Sequence, residues 1–170
     1  SLNPKLSEPY NNLGALRNAE SRYKEAIDYY KKAISLNPKF SQPHHNIGNV
    51  YLTTGNFAEA KKSFKESLKL DPNHSNSHRS LSRLTKYRSD TDENFKELIN
   101  TYYRINISDT ENKINLGFAL GKAYEDIKNF DKSFTYYREA NTIYRKKINF
   151  SLKLEKEKFQ EIKNTFHIKL

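Results

Sequence analysis

The chain has 170 residues, a length that suits one domain and leaves little room for two. Only 35% of residues are hydrophobic, yet 12 Tyr and 10 Phe supply bulky apolar surface, which argues against a disordered polar chain. Cysteine is absent, excluding a disulfide framework, a thiol nucleophile and any thiolate-bound zinc, and no window holds the ~20 apolar residues of a membrane helix. The net charge of +10 is spread along both halves, with 13 basic and 7 acidic groups in residues 1–85 and 17 and 13 in residues 86–170. No basic tail or block emerges, so the excess reads as a solvated surface. Low Gly and Pro content with 29% charged residues suits a helical, soluble chain, for which a cytoplasmic location is the expectation.

Self-comparison reveals a period of 34 residues. Ser35-Leu36-Asn37-Pro38-Lys39-Phe40 restates Ser1-Leu2-Asn3-Pro4-Lys5-Leu6, and Pro72 continues the ladder. The same shift pairs Pro9 with Pro43, Asn12 with Asn46, Gly14 with Gly48, Ala26 with Ala60 and Tyr30 with Phe64.

Each period reads as two helices, A and B. Ser7 and Ser41 are expected to cap the A helices, with Pro9 and Pro43 in the opening turn, where a missing N–H costs little. The first B helix carries Tyr23, Ala26, Ile27, Tyr30, Ala33 and Ile34, and the second Phe57, Ala60, Phe64, Ser67 and Leu68, each an apolar stripe of helical spacing. Asn37-Pro38 and Asp71-Pro72 end them, because proline disfavours the helical conformation of the preceding residue. Neither hairpin hides its stripe alone, so neighbours must stack.

Beyond residue 74 the rhythm loosens. Ser75 to Tyr87 reads as a third A helix, with His78 and Leu81 in place and Ser82 where Gly is expected. Arg88 to Glu93 reads as a polar loop and helix start, followed by a stripe of Phe95, Leu98, Ile99, Tyr102 and Tyr103. A capping box, Ser108-Asp-Thr-Glu111, is expected to open a helix through Ile127 that restores Leu120, Gly121 and Tyr124. Its partner carries Phe130, Ser133, Phe134, Tyr137, Ala140 and Tyr144. A final helix, about Ser151 to Phe166, offers Leu152, Phe159, Ile162 and Phe166 among many charges, the composition of a cap.

Tyr10, Leu13, Gly14, Ala26, Tyr30, Ala33 and Pro38, and then His44, Ile47, Gly48, Tyr51, Ala60, Phe64, Ser67 and Pro72, resemble the pattern of the tetratricopeptide repeat family, with Arg17 the one departure in the first copy. The resemblance implies an all-α, right-handed α-solenoid of helix-turn-helix repeats with a C-terminal capping helix. The expected organisation is a single domain, 1–170: the tail of an upstream repeat (1–6), repeats at 7–40 and 41–74, a degenerate repeat at 75–107, a fourth at 108–147, and a capping or linker helix at 148–170. The stretch from His78 to Phe166, with Phe118-Ala-Leu-Gly-Lys-Ala-Tyr-Glu-Asp126 and Phe134-Thr-Tyr-Tyr-Arg-Glu-Ala-Asn141, is similar to the repeat region preceding the catalytic domain of bacterial tetratricopeptide-repeat sulfotransferases. That resemblance implies an excised piece of a longer protein.

No catalytic constellation is legible. None of the five glycines sits in a phosphate-cradling loop between strand and helix, so no cofactor is expected. His74 and His78 stand four apart without a third ligand, so no metal is expected, and there is no candidate nucleophile with an activating base. The chain is not expected to be an enzyme.

The resemblance implies a concave wall made by the A helices, and superhelical surfaces of this kind bind extended peptides or partner helices. The inward positions read from the register are Asn11, Asn12, Ala15, Asn18 and Ala19, then Gln42, His45, Asn46, Asn49 and Thr53, then Asn76, Arg79, Arg83, Lys86 and Tyr87. Asn12 and Asn46 resemble the asparagine ladder of the repeat domain in O-linked N-acetylglucosamine transferase, where an amide's donors and acceptor match a peptide backbone; Ser80 replaces the third rung. Arg79, Arg83 and Lys86 at i, i+4 and i+7 suit a carboxylate-bearing segment. The expected function is a non-catalytic scaffold whose concave groove holds an extended peptide or a partner domain, the peptide acidic if the basic stripe faces the groove. The rivals are a nucleic-acid binder using the positive charge, which a salt titration against single-stranded RNA would separate, and self-association through the solenoid ends.

Overall fold

The structure is a computed structural model that describes residues 6–106, 108–148 and 152–166. Its described residues form an all-α solenoid. The helices are α1 (Ser7–Ala19), α2 (Tyr23–Leu36), α3 (Ser41–Thr53), α4 (Phe57–Leu70), α5 (Ser75–Leu84), α6 (Glu93–Arg104), α7 (Thr110–Asp126), α8 (Phe130–Lys147) and α9 (Leu152–Phe166). The first five residues of the opening six-residue copy, Ser1 to Lys5, and the expected start at Ser151 lie outside the described residues, as do the side chains of Leu152, Ile162 and Phe166. No described helix is long and apolar enough to cross a membrane.

Three hairpins share one packing device. A Cβ on Gly14 would lie 2.6 Å from the Tyr30 ring, on Gly48 2.5 Å from the Phe64 ring, and on Gly121 2.5 Å from the Tyr137 ring. Glycine on the A helix thus lets an aromatic of the B helix lie flat against backbone. Ala26, Ala33 and Ala60 bring the helices close beside it, all fully buried. The A-to-B turns also repeat. Ser21, Gly55 and Lys128 all adopt left-handed φ, of 60°, 78° and 62°. In each turn the next amide, of Arg22, Asn56 or Asn129, donates to a carbonyl five residues back. This closes the helix C-terminus in the way a glycine normally permits, although only one copy has glycine there.

The serines expected as caps are instead the first residues of their helices. Leu6 and Phe40 hold the cap positions of α1 and α3, with no side-chain cap bond. Asp109, not Ser108, caps α7 by accepting from the Asn112 amide, and Asp92 caps α6 by accepting from the Asn94 amide. His74 caps α5, its Nδ1 accepting from the Ser77 amide.

Helix α5 ends at Leu84, short of the Tyr87 expected from the pattern. Tyr87 leaves the helix and turns into the core against Phe95, ring centroids 5.3 Å apart. As a consequence α5 packs mainly against α4 and α7, whereas α6 lies on α7. Helix α7 is therefore enclosed by α5, α6 and α8, and ten of its residues, from Lys113 to Tyr124, are buried. A helix surrounded in this way loses its amphipathic stripe. Around it, Tyr87, Phe95, Leu98, Tyr102, Leu116, Leu120, Tyr124 and Tyr136 form the largest core cluster. Tyr136, which the stripe on α8 did not include, is the buried aromatic there; Phe130, Phe134 and Tyr144 are exposed, as is Phe57 on α4. Tyr103 is exposed too, its hydroxyl 2.9 Å from that of Tyr136.

Candidate interaction face

The A helices α1, α3, α5 and α7 are tied side by side by polar bonds between side chains. Between α1 and α3, Asn46 Nδ2 donates to Asn11 Oδ1 at 2.9 Å, while Gln42 Nε2 donates to Asn46 Oδ1 at 3.0 Å. Asn46 is thus occupied on both sides, and Asn11 is buried. Both bridge neighbouring helices. Asn12 is exposed, and the ladder expected from Asn12 and Asn46 is split between a free amide and a structural one.

Between α3 and α5 the bridge is a histidine cluster. His45 is buried rather than groove-lining, correcting its expected placement. Its Nε2 faces the Asn49 amide nitrogen at 2.9 Å and so accepts from it; Nδ1 therefore carries the proton and donates to Ser77 Oγ at 2.9 Å. Ser77 Oγ donates in turn to Ser67 Oγ on α4. His74, with Nδ1 accepting from the Ser77 amide, donates through Nε2 to Gln42 Oε1 at 3.0 Å. The His45 and His74 rings lie 4.9 Å apart. His78, on the far side of α5, donates to the Pro72 carbonyl at 2.8 Å.

Every ring in this cluster is neutral in its hydrogen bonds, and burial pushes each pKa down. His45 falls from 6.5 to about 4, through burial first and the neighbouring His74 second. Burial lowers His74 and His78 as well, opposed at His74 by Asp71 and at His78 by the bond to Pro72 and by Glu97. Burial also lowers His44, opposed by Glu66. The folded state therefore favours unprotonated rings. Its stabilisation is complete above the unfolded value of 6.5 and drains away as pH falls through that value toward about 4. For His45 alone this amounts to about 3 kcal/mol. The urea midpoint is expected to drop between pH 7 and pH ~4.5, and less steeply in His45→Gln; identical slopes in the two proteins would contradict this.

Between α5 and α7, Arg79 donates to Asn115 Oδ1 at 3.0 Å and stacks over the Phe118 ring at 4.7 Å. Asn115 Nδ2 donates to Asn76 Oδ1 at 2.8 Å, and Ser75 Oγ bonds Asn112. The expected Arg79, Arg83, Lys86 stripe is broken, because Lys86 follows the end of α5. Lys86 Nζ instead bonds Asp126 Oδ1 at 2.9 Å. Burial works to raise the Asp126 carboxyl, but hydrogen bonds from Lys122, Lys86 and the Tyr87 amide outweigh it and hold it below its usual range. Arg83 remains exposed, with no ion pair among the described residues.

Of the inward positions on α1, α3 and α5, those left to solvent are Asn12, Ala15, Ala19, Thr53, Asn76, Arg79 and Arg83, with Asn18 and Asn49 half-buried beside them. Small and amide side chains flank two guanidiniums, Arg79 and Arg83, neither of them ion-paired among the described residues. The bridging partners Asn112, Asn115 and Asp126 were absent from the sequence-derived set. The triplet Asn115-Leu116-Gly117 repeats the form of Asn12-Leu13-Gly14, a signal masked by the stronger register of Leu120-Gly121. Among the described residues no group of three His or carboxylate side chains is placed to hold a metal ion.

Profiles of the tetratricopeptide repeat family match residues 7–40, 41–74 and 118–147, together more than half of the chain. No curated sequence shows a significant match. Two solved structures of MamA are similar in fold, one with a TM-score of 0.58 at 19% identity over 85% of this chain and 81% of that one, the other with 0.56 at 19% over 88% and 79%. BtubC (BKLC) from P. vanneervenii is similar with a TM-score of 0.63 at 16% identity, over 88% of this chain and 67% of that one. Three matched repeats, the glycine-on-aromatic contact in each hairpin and the shared solenoid fold lead to one assignment: the chain belongs to the tetratricopeptide repeat family.

Proposed function

We propose that the chain is a protein-interaction scaffold whose A-helix face holds an extended, acidic peptide segment. The observation that carries the reading is Arg83, an exposed guanidinium with no ion pair among the described residues, one turn from the exposed Arg79, which is bonded only to a neutral amide, on a face of amides and small side chains. An extended backbone offers alternating donors and acceptors that Asn12, Asn49 and Asn76 complement, and Ala15 and Ala19 leave room for it to approach. A carboxylate on the segment would meet Arg83 in a charge-assisted, two-point bond. Arg79, Asn46 and Asn11 contribute by fixing the spacing of the helices rather than by gripping the ligand.

In this reading the likeness of residues 78–166 to the repeat region of bacterial tetratricopeptide-repeat sulfotransferases supports a role in positioning a protein substrate beside such a catalytic domain. The chain's own residues carry binding, not chemistry.

The test is selection of binders from a random peptide display library. Extended acidic sequences are expected, their affinity falling about tenfold, the equivalent of 1.4 kcal/mol, in Arg83→Glu and less in Asn12→Ala. Both residues are exposed, so melting temperatures should hold. Binders indifferent to both substitutions would remove the reading.

A further inference from the structure

The second joint of the solenoid lacks the filling that closes the first. At the α2–α3 joint, Ile27 and Tyr51 are half-buried and pack on the core that holds the two hairpins together. The repeat shift of 34 sets Lys61 of α4 where α2 has Ile27, and Thr85, just after α5, where α3 has Tyr51. A branched apolar side chain and an aromatic ring thus give way to an ammonium on a flexible stem and a small hydroxyl. Helix α6 packs on α7, and its first turn brings Asn94 to the opposite wall. What remains is a cleft of about 370 Å³ between α4, the end of α5 and the start of α6.

The cleft is basic. Lys61, Lys62 and Lys65 line it along little more than one turn of α4. Lys62 has Glu59 4.0 Å away, and Glu66, also in the lining, has Lys69 at 3.7 Å. The side chains of Lys61 and Lys65 have no ion pair or hydrogen bond among the described residues, and Lys61 is half-buried. Set four apart, these two share one helix face and repel each other. The Thr85 hydroxyl is spent, donating to the Leu81 carbonyl at 2.8 Å. Asn94 is not: its amide nitrogen stands 3.4 Å from Asp92 Oδ1 and keeps an N–H to offer.

We infer that this cleft binds a small, free anion carrying two or more linked phosphoryl groups. Ammoniums act as point charges with no preferred plane, which suits the dense charge of phosphoryl oxygens, whereas planar carboxylates favour the forked guanidinium. Three ammoniums on one wall exceed what a single phosphate balances. The volume lies in the range of small-molecule sites, about 300–1,000 Å³. No aromatic ring lines the cleft among the described residues, so nothing there stacks a nucleic-acid base. The inference is independent of the peptide-binding reading, because it uses α4 and the start of α6 and neither Asn12 nor Arg83.

Isothermal titration calorimetry of the full chain with sodium tripolyphosphate tests this. Saturable one-to-one binding is expected, with affinity falling about tenfold or more when Lys61→Gln and Lys65→Gln are combined. Lys24→Gln with Lys31→Gln removes the same charge from exposed positions of α2 and should bind as the wild type does. Thr85→Tyr keeps every lysine but restores the aromatic of the first joint, and should lose binding by filling the cleft. Circular dichroism checks that each variant folds. No saturable binding, an equal loss in the α2 control, or full affinity in Thr85→Tyr would overturn the inference. So would tripolyphosphate left unbound while phosphoinositide-containing vesicles or single-stranded RNA bind through the same lysines.

Discussion

Ala26→Arg is expected to unfold α1 to α3 while α7 and α8 keep their structure. Ala26 is fully buried on α2, in the cluster with Tyr30, Ile47 and Val50 that joins the first two hairpins. Arginine there overfills a close helix contact and strands a charge away from water, each costly alone. Together they amount to about 4 kcal/mol or more, the size of effect reserved for broken cores. Circular dichroism should show a partial loss of helix at 25 °C, with a remaining cooperative transition from the C-terminal cluster. A variant that melts like the wild type would mean that the α2–α3 joint is not a packed core.

Phe95→Ala carries the second large effect. Phe95 is fully buried between Tyr87 and Tyr124, with ring centroids 5.3 and 4.9 Å away. Truncation removes the aromatic and leaves a cavity ringed by tyrosines, at a cost of about 3–5 kcal/mol. Because α6 packs on α7 and not on α5 as a hairpin partner, Phe95, Leu98 and Tyr102 are its main attachment. The variant should therefore lose protection of α6 before that of α7, and denaturant midpoints should report the loss. A change below ~1 kcal/mol, within the range of ordinary surface substitutions, would show that α6 is held otherwise.

The hairpins at residues 7–74 were legible because rare residues recur at a fixed shift, and the contacts behind that recurrence are local: Gly14 admits Tyr30, and Gly48 admits Phe64. Helix α5 was misread at its end. Its pattern continued through Lys86 and Tyr87, but Tyr87 gains more by turning into the aromatic cluster around Phe95 than by extending the helix. The exposure of Phe130 and Phe134 was likewise hidden, since a stripe of helical spacing shows which side is apolar and not whether a neighbour covers it.

The candidate face was legible in outline and misassigned in detail. The register placed His45 and Asn46 correctly on the A helix, yet cannot tell an amide that faces solvent from one that bonds the next helix. That distinction depends on partners 32 and 35 residues away, Ser77 for His45 and Asn11 for Asn46. The bridges between α5 and α7 span still longer intervals, Arg79 to Asn115 and Tyr87 to Asp126, and cross the stretch where the repeat spacing lapses.

Stability in a stack of this kind resides in each hairpin and in its contacts with the next. Amide hydrogen exchange on the Ala26→Arg protein measures this directly, because it reads each helix separately. Loss of protection in α1, α2 and α3, with α7 and α8 exchanging as slowly as in the wild type, is the predicted result. Equal loss of protection from α1 to α8 would contradict it, showing one indivisible core in place of neighbouring hairpins.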